Sequence, residues 1–182
     1  MLRLAAVFAC IAGPALAGGL EIEVLGETVT GTVQIDLLED VAPLHSAQIL
    51  ALAEQGAYDG VVFHRVIEGF MAQTGDVSFG KNPEDMSRAG MGGSELGNIP
   101  AEFSDVPFDR GVVGMARSQN PNSANSQFFI MFKPGYFLNG QYTVVGRVTL
   151  GMDVVDRLKR GHPQSGAITG QPDVMHRVTA VD

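Results

Sequence analysis

FHRVIEGFMAQTGD, residues 63–76, holds two apolar runs separated by Glu68-Gly69. With Val61 and Val62 ahead of it, VVFHRVI reads as a buried strand, and FMAQTGD reads as a second. Period two along the first run places Arg65 in the row of Val61, Phe63 and Ile67, and His64 in the row of Val62 and Val66. An arginine in an apolar row either lays its stem on that surface and carries its charge to water, or is held there for a purpose. Taken alone, the stretch favours the first explanation.

Working outward, EIEV (21–24) and TGTVQIDLL (30–38) alternate apolar and polar residues and pair as a first hairpin. PLHSAQILALAEQG (43–56) has helical spacing, with Pro43 in the first turn and Gly56 past the end. Strand character returns at GVVGMARS (111–118), SQFFIMF (126–132), YTVVGRVTL (142–150) and HRVTAVD (176–182). MDVVDRLKRG (152–161) predicts a second helix: Asp153 and Asp156 lie early, Lys159 and Arg160 late, and Gly161 caps it. Residues 78–107 form a long irregular segment, the pattern of a packed or functional surface loop, with no role assignable from the residues. About eight strands and two helices, without βαβ alternation or an internal repeat, predict a mainly β fold: a closed eight-stranded antiparallel β-barrel capped by two α-helices.

The chain has 182 residues and 45% hydrophobic against 18% charged side chains, which fits one folded domain with a substantial core. MLRLAAVFACIAGPALA (1–17) stands apart: Arg3, an uncharged apolar run and a small-x-small ending at Ala15-Leu16-Ala17 read as a cleaved secretory signal. The run is shorter than a membrane-spanning helix, and Cys10 lacks the surroundings of a lipid-attachment site. The expected boundaries are therefore 1–17 for the leader and 18–182 for one domain. The leader carries the only cysteine and, of the 12 basic residues, only Arg3; 11 basic and 20 acidic side chains remain, so the formal charge of −8 becomes −9. That acidity argues against a nucleic acid or an anionic membrane surface as partner.

Much familiar chemistry is missing. The four histidines have no i, i+4 pair and no cysteine to join them, so no metal site is expected. GMGGSELG (90–97) lacks the lysine-serine ending of a phosphate loop and reads as a flexible turn. No G-x-S-x-G elbow offers a serine nucleophile. What remains is polar residues set among aromatics, Arg65 and Gln127 above all.

These residues carry a family resemblance. FHRVIEGFMAQTGD, GMARSQNPNSANSQFFIMF (114–132) and FLNGQYTVVGRV (137–148) occur in the order and near the spacing of a cyclophilin-type peptidyl-prolyl cis-trans isomerase, of the exported bacterial kind. The likeness spans almost the whole chain after the leader. It implies a filled barrel with an external groove for extended or unfolded polypeptides containing X–Pro bonds, no cofactor, and a monomer without a membrane anchor in the mature chain. It implies further that Arg65 and Gln127 are catalytic. Phe70, Met71, Gln73, Ala116, Arg117, Ser118, Phe129, Phe137, Leu138 and Tyr142 would bind substrate, with Gly90 at the margin.

There are departures. Phe137 and Tyr142 stand where familiar members carry tryptophan and histidine, so weak cyclosporin binding is expected. Arg117 stands where asparagine is common; the resemblance implies that only its backbone matters. The residues from Ser78 to Ala89 lengthen a loop. The leader with this family likeness implies export to the bacterial periplasm and assistance to exported proteins as they fold. Two other readings stay open: a proline-peptide-binding chaperone with little turnover, and a barrel enclosing a small ligand, which would need an internal cavity.

Overall fold

The computed structural model describes residues 18–27, 29–82 and 85–182; the proposed leader, residues 1–17, lies outside them. Nine strands follow in chain order: β1 (Gly19–Leu25), β2 (Thr30–Leu37), β3 (Val61–Val62), β4 (Arg65–Ile67), β5 (Met71–Thr74), β6 (Val112–Met115), β7 (Phe128–Met131), β8 (Val144–Leu150) and β9 (Val174–Val181). Helix α1 (Pro43–Glu54) joins β2 to β3, and α2 (Met152–Val155) joins β8 to β9. The strands pair in the order β3-β9-β1-β2-β8-β6-β7-β5-β4, every ladder antiparallel.

The predicted closed eight-stranded barrel is corrected by this order: nine strands form an open half-barrel. The reason lies in the opening stretch. VVFHRVI is not one strand; it breaks at Phe63-His64 into β3, paired to β9, and β4, paired to β5. One run thus supplies both edges of the sheet, and no ladder joins them. The edges are covered instead, since Val62 N–H donates to the Gly80 carbonyl at 2.8 Å and Val66 N–H to the Gly166 carbonyl at 2.8 Å. The break also redirects the rows. Val61 and Phe63 face the main core, whereas Ile67 packs with a second apolar cluster on the other side, so Arg65 does not share a face with Phe63.

The main core gathers β1 and β2 residues such as Leu20, Ile22, Val33 and Ile35 with Ile49, Leu52 and Ala53 of α1. Pro43 opens α1, and the Glu102 carboxylate accepts from the N–H groups of Leu44 and His45, both at 3.1 Å, which satisfies two helix-end donors from a distant loop. The second helix is shorter than its pattern predicts. Lys159 N–H, which would extend it, donates to the Asp173 carboxylate at 2.6 Å, so the chain leaves the helical path before Lys159 and Arg160.

Candidate active site

Register decides which side chains meet. Arg65 faces Gln73 across β4 and β5, Gln73 faces Phe129 across β5 and β7, and Phe129 faces Gly114 across β7 and β6. Four strands therefore put these residues in one row. The adjacent row, Val66, Ala72, Ile130 and Val113, points into the main core, so the Arg65 row stands on the outer face of the sheet. An arginine that appeared to sit in an apolar strand row belongs to the outside surface.

Beside it lies a groove of about 240 Å³ lined by ten of the thirteen residues singled out from sequence. The other three, Gly90, Ser118 and Gln127, line an adjoining groove of about 620 Å³. Gln73, Ala116 and Arg117 line both, so the grooves meet along one border. Met71, Phe129 and Leu138 are buried members of the second apolar cluster, and Phe70 packs against it. Phe129 stacks on Phe108 at 5.8 Å between ring centroids. Only glycine leaves room for this: a Cβ on Gly114 would stand 2.5 Å from Phe129 and 2.6 Å from Phe108. Phe137, two-thirds exposed, leans on Phe70 at 5.6 Å and forms the rim.

The polar side of the groove is a chain of hydrogen bonds with a fixed direction. Gln127 is buried, and its amide donates to the Gly90 carbonyl at 3.0 Å and the Gly92 carbonyl at 2.7 Å. Its oxygen therefore faces Gln73, whose amide donates to it at 3.0 Å. That turns the Gln73 oxygen toward Arg65, whose NH1 donates to it at 3.2 Å. Arg65 Nε donates to the Ser165 carbonyl at 3.0 Å, and among the described residues NH2 has no protein partner. The guanidinium is thus held by two of its nitrogens and keeps a donor for something else. Partial burial lowers the Arg65 pKa from its ordinary value, yet a guanidinium stays charged in proteins.

Gly90 and Gly92 belong to the long loop, and the buried Asp76 explains their placement. Its carboxylate accepts backbone N–H groups from Ser78 at 3.1 Å, Phe79 at 2.8 Å, Gly90 at 2.7 Å and Gly92 at 2.9 Å. GMGGSELG, expected to be a flexible turn, is therefore a pinned acceptor for Gln127. His64 packs against Gly90 and is buried, and burial brings its pKa down to about 4.

Sequence reasoning missed Asp76, Gly92, Gly114 and the Ser165-Gly166 segment. The glycines and Ser165 act through backbone groups or through lack of a side chain, and the Asp76 carboxylate binds only backbone N–H groups, so residue type alone does not mark these roles. Turn composition, in GMGG and in HPQSGA (162–167), is the one signal that could have found such features. Among the described residues no group of three metal-binding side chains gathers.

Comparison with known proteins identifies the family. Residues 21–180 match the family model described as cyclophilin type peptidyl-prolyl cis-trans isomerase/CLD. A Brucella suis protein named "Probable peptidyl-prolyl cis-trans isomerase" is 59% identical over 151 residues, 82% of this chain and 77% of the relative. The crystal structure of cyclophilin AquaCyp293 from Hirschia baltica superimposes with a TM-score of 0.70 at 27% identity, covering 88% of this chain and 73% of that one. A Cryptosporidium parvum cyclophilin-type isomerase, solved in the presence of the dipeptide Ala-Pro, shares the fold with a TM-score of 0.74 at 24% identity, over 90% of this chain and 99% of that one. With 160 of its residues inside the family model and a relative at 59% identity, the chain belongs to the cyclophilin-type peptidyl-prolyl cis-trans isomerases.

Proposed function

We propose that the chain rotates X–Pro bonds of extended polypeptides in the 240 Å³ groove, with Arg65 as the catalytic group, and that it does so on exported proteins as they fold. The observation that carries this is the Arg65 guanidinium, anchored through Nε and NH1 beside an apolar groove while NH2 is uncommitted.

An X–Pro bond turns slowly because twisting destroys amide resonance, a barrier of roughly 18–20 kcal/mol. No bond is broken, so a nucleophile, general base or cofactor adds nothing. As the amide twists, the proline nitrogen regains a lone pair that neither planar ground state offers. A charged donor aimed at it is worth about 1.5–3 kcal/mol, and only in the transition state. Met71, Phe129 and Leu138 hold the pyrrolidine ring still while the preceding carbonyl swings toward the larger groove. Both Gln127 donors are committed to glycine carbonyls, so Gln127 acts through Gln73 as a positioning residue. Arg117 borders both grooves, and in this reading its backbone meets the peptide as it crosses between them.

Export rests on the pattern of residues 1–17. It is tested by sequencing the N-terminus of the protein recovered from a periplasmic fraction, which is expected to begin near Gly18. Isomerisation is tested by exchange NMR on an X–Pro peptide with catalytic amounts of the protein. Faster cis–trans exchange is expected; peptide binding without faster exchange would leave a chaperone groove instead.

A further inference from the structure

Arg117 lies just beyond β6 on the border shared by the two grooves, and its side chain does more than its backbone requires. The guanidinium carbon stands 4.3 Å from the centre of the Tyr142 ring. NH1 donates to the Ser118 carbonyl at 2.8 Å, and NH2 donates to the Gln141 carbonyl at 2.8 Å. Nε is covered and has no hydrogen-bond partner. Tyr142 also meets Phe129 edge to face, with ring centroids 6.0 Å apart. Tyr142 therefore touches both the Arg117 guanidinium and Phe129, a buried wall of the groove.

The segment carrying Tyr142 needs such a tie. Its other hydrogen bonds are mostly internal: Tyr142 and Gln141 N–H groups both donate to the Leu138 carbonyl, and the Gln141 amide donates to the Phe137 carbonyl. Asn139 reaches the neighbouring loop by accepting from Phe108 N–H at 2.9 Å. At Gln141 and Tyr142 themselves, the Arg117 side chain joins the turn to the segment after β6.

We propose that Arg117 is a positioning residue of this site: its planar fork and face fix the Tyr142 wall, and so set the width of the groove that takes the proline ring. The proposal rests on the reading of that groove as the proline site. A competing role follows from charge. Among the described residues, Arg65 and Arg117 are the only charged ones lining either groove in a chain of formal charge −8, so Arg117 would steer acidic substrates. Lysine separates the two, because it keeps the charge but has neither the fork nor the flat face.

The experiment compares wild type, Arg117→Lys and Arg117→Met on a neutral and on an acidic X–Pro peptide at low and high salt, with folding checked by thermal melts. Positioning predicts that both variants raise KM about five- to tenfold with kcat changed less than about twofold, at either salt. In NMR spectra, contacts between the Tyr142 and Phe129 rings are expected to weaken in both. A Lys variant with the wild-type KM, or a difference that high salt removes, would overturn the proposal in favour of steering. Unchanged KM in both variants would also overturn it. An inactive wild type would instead remove the functional reading on which the proposal stands.

Discussion

The Gln73 side-chain oxygen accepts from Arg65 NH1 at 3.2 Å because β4 and β5 place these residues directly opposite each other. The Gln127 amide, by donating to two glycine carbonyls, leaves Gln73 one orientation. Replacing Gln73 with leucine keeps the bulk and removes that anchor. A hydrogen bond from a charged donor, worth about 1.5–3 kcal/mol, predicts that kcat/KM falls at least roughly tenfold, mostly in kcat. Steady-state isomerase kinetics on one X–Pro peptide measure it; an unchanged kcat would mean that Ser165 alone orients the guanidinium.

Gly166 supports Arg65 from the opposite side. Its φ is +75°, and an added Cβ would lie 2.5 Å from Ile67 Cγ1 and 2.9 Å from Arg65 Cγ. Gly166→Ala is expected to lose about 1–3 kcal/mol in urea unfolding and to lower activity further than the stability loss accounts for, because the clash displaces the Arg65 stem. Retention of full activity at a temperature where the variant is folded would show that Arg65 tolerates the shift.

Asp76 closes the long loop through four backbone donors. In Asp76→Asn the oxygens become one acceptor and one donor group, and the donor meets N–H groups that cannot accept. Leaving buried donors unsatisfied costs about 1–3 kcal/mol each at most sites, so the loop is expected to open before the domain unfolds. Limited proteolysis should cut the variant within residues 78–93 while the sheet stays intact, and activity should fall with loop opening.

His64 gives the fold a pH dependence. Burial lowers its pKa from the ordinary 6.5 to about 4, partly opposed by the Asp76 carboxylate and reinforced by the Arg65 charge. Between those values the unfolded chain takes up a proton that the folded chain refuses, so stability falls as pH drops through the window. Above about 6.5 the contribution is fully present, and below about 4 no more is lost. The whole effect is of order 3 kcal/mol. Urea midpoints across the window are expected to decline in wild type and to decline much less in His64→Gln. Asp156, held below its usual carboxylate range by Arg110, adds its own loss at still lower pH.

Much of this architecture is legible in residue patterns. The β1–β2 hairpin, the start of α1 at Pro43 and the strands around SQFF follow from period and punctuation, because each buries one face or obeys a backbone rule. The break at Phe63-His64 is not legible, since both halves of VVFHRVI are apolar and only their different partners, β9 and β5, separate them. The end of α2 is hidden for a similar reason: Asp173, fourteen residues beyond Lys159, takes its N–H. At the site, thirteen residues marked by family likeness converge on two adjoining grooves, whereas the Arg117 side chain, set aside by that same likeness, spans from Ser118 to Tyr142.

The central claim is that Arg65 supplies a charged donor to the twisted proline nitrogen, and exchange NMR with Arg65→Lys and Arg65→Ala tests it most directly. With both variants folded and still binding the X–Pro peptide, Arg65→Ala is expected to lose about tenfold to a hundredfold in the exchange rate of bound peptide. Arg65→Lys, which keeps a cation but lacks the fork that Gln73 and Ser165 hold, is expected to recover only part of it. Bound-peptide exchange in Arg65→Ala as fast as in wild type would contradict the account.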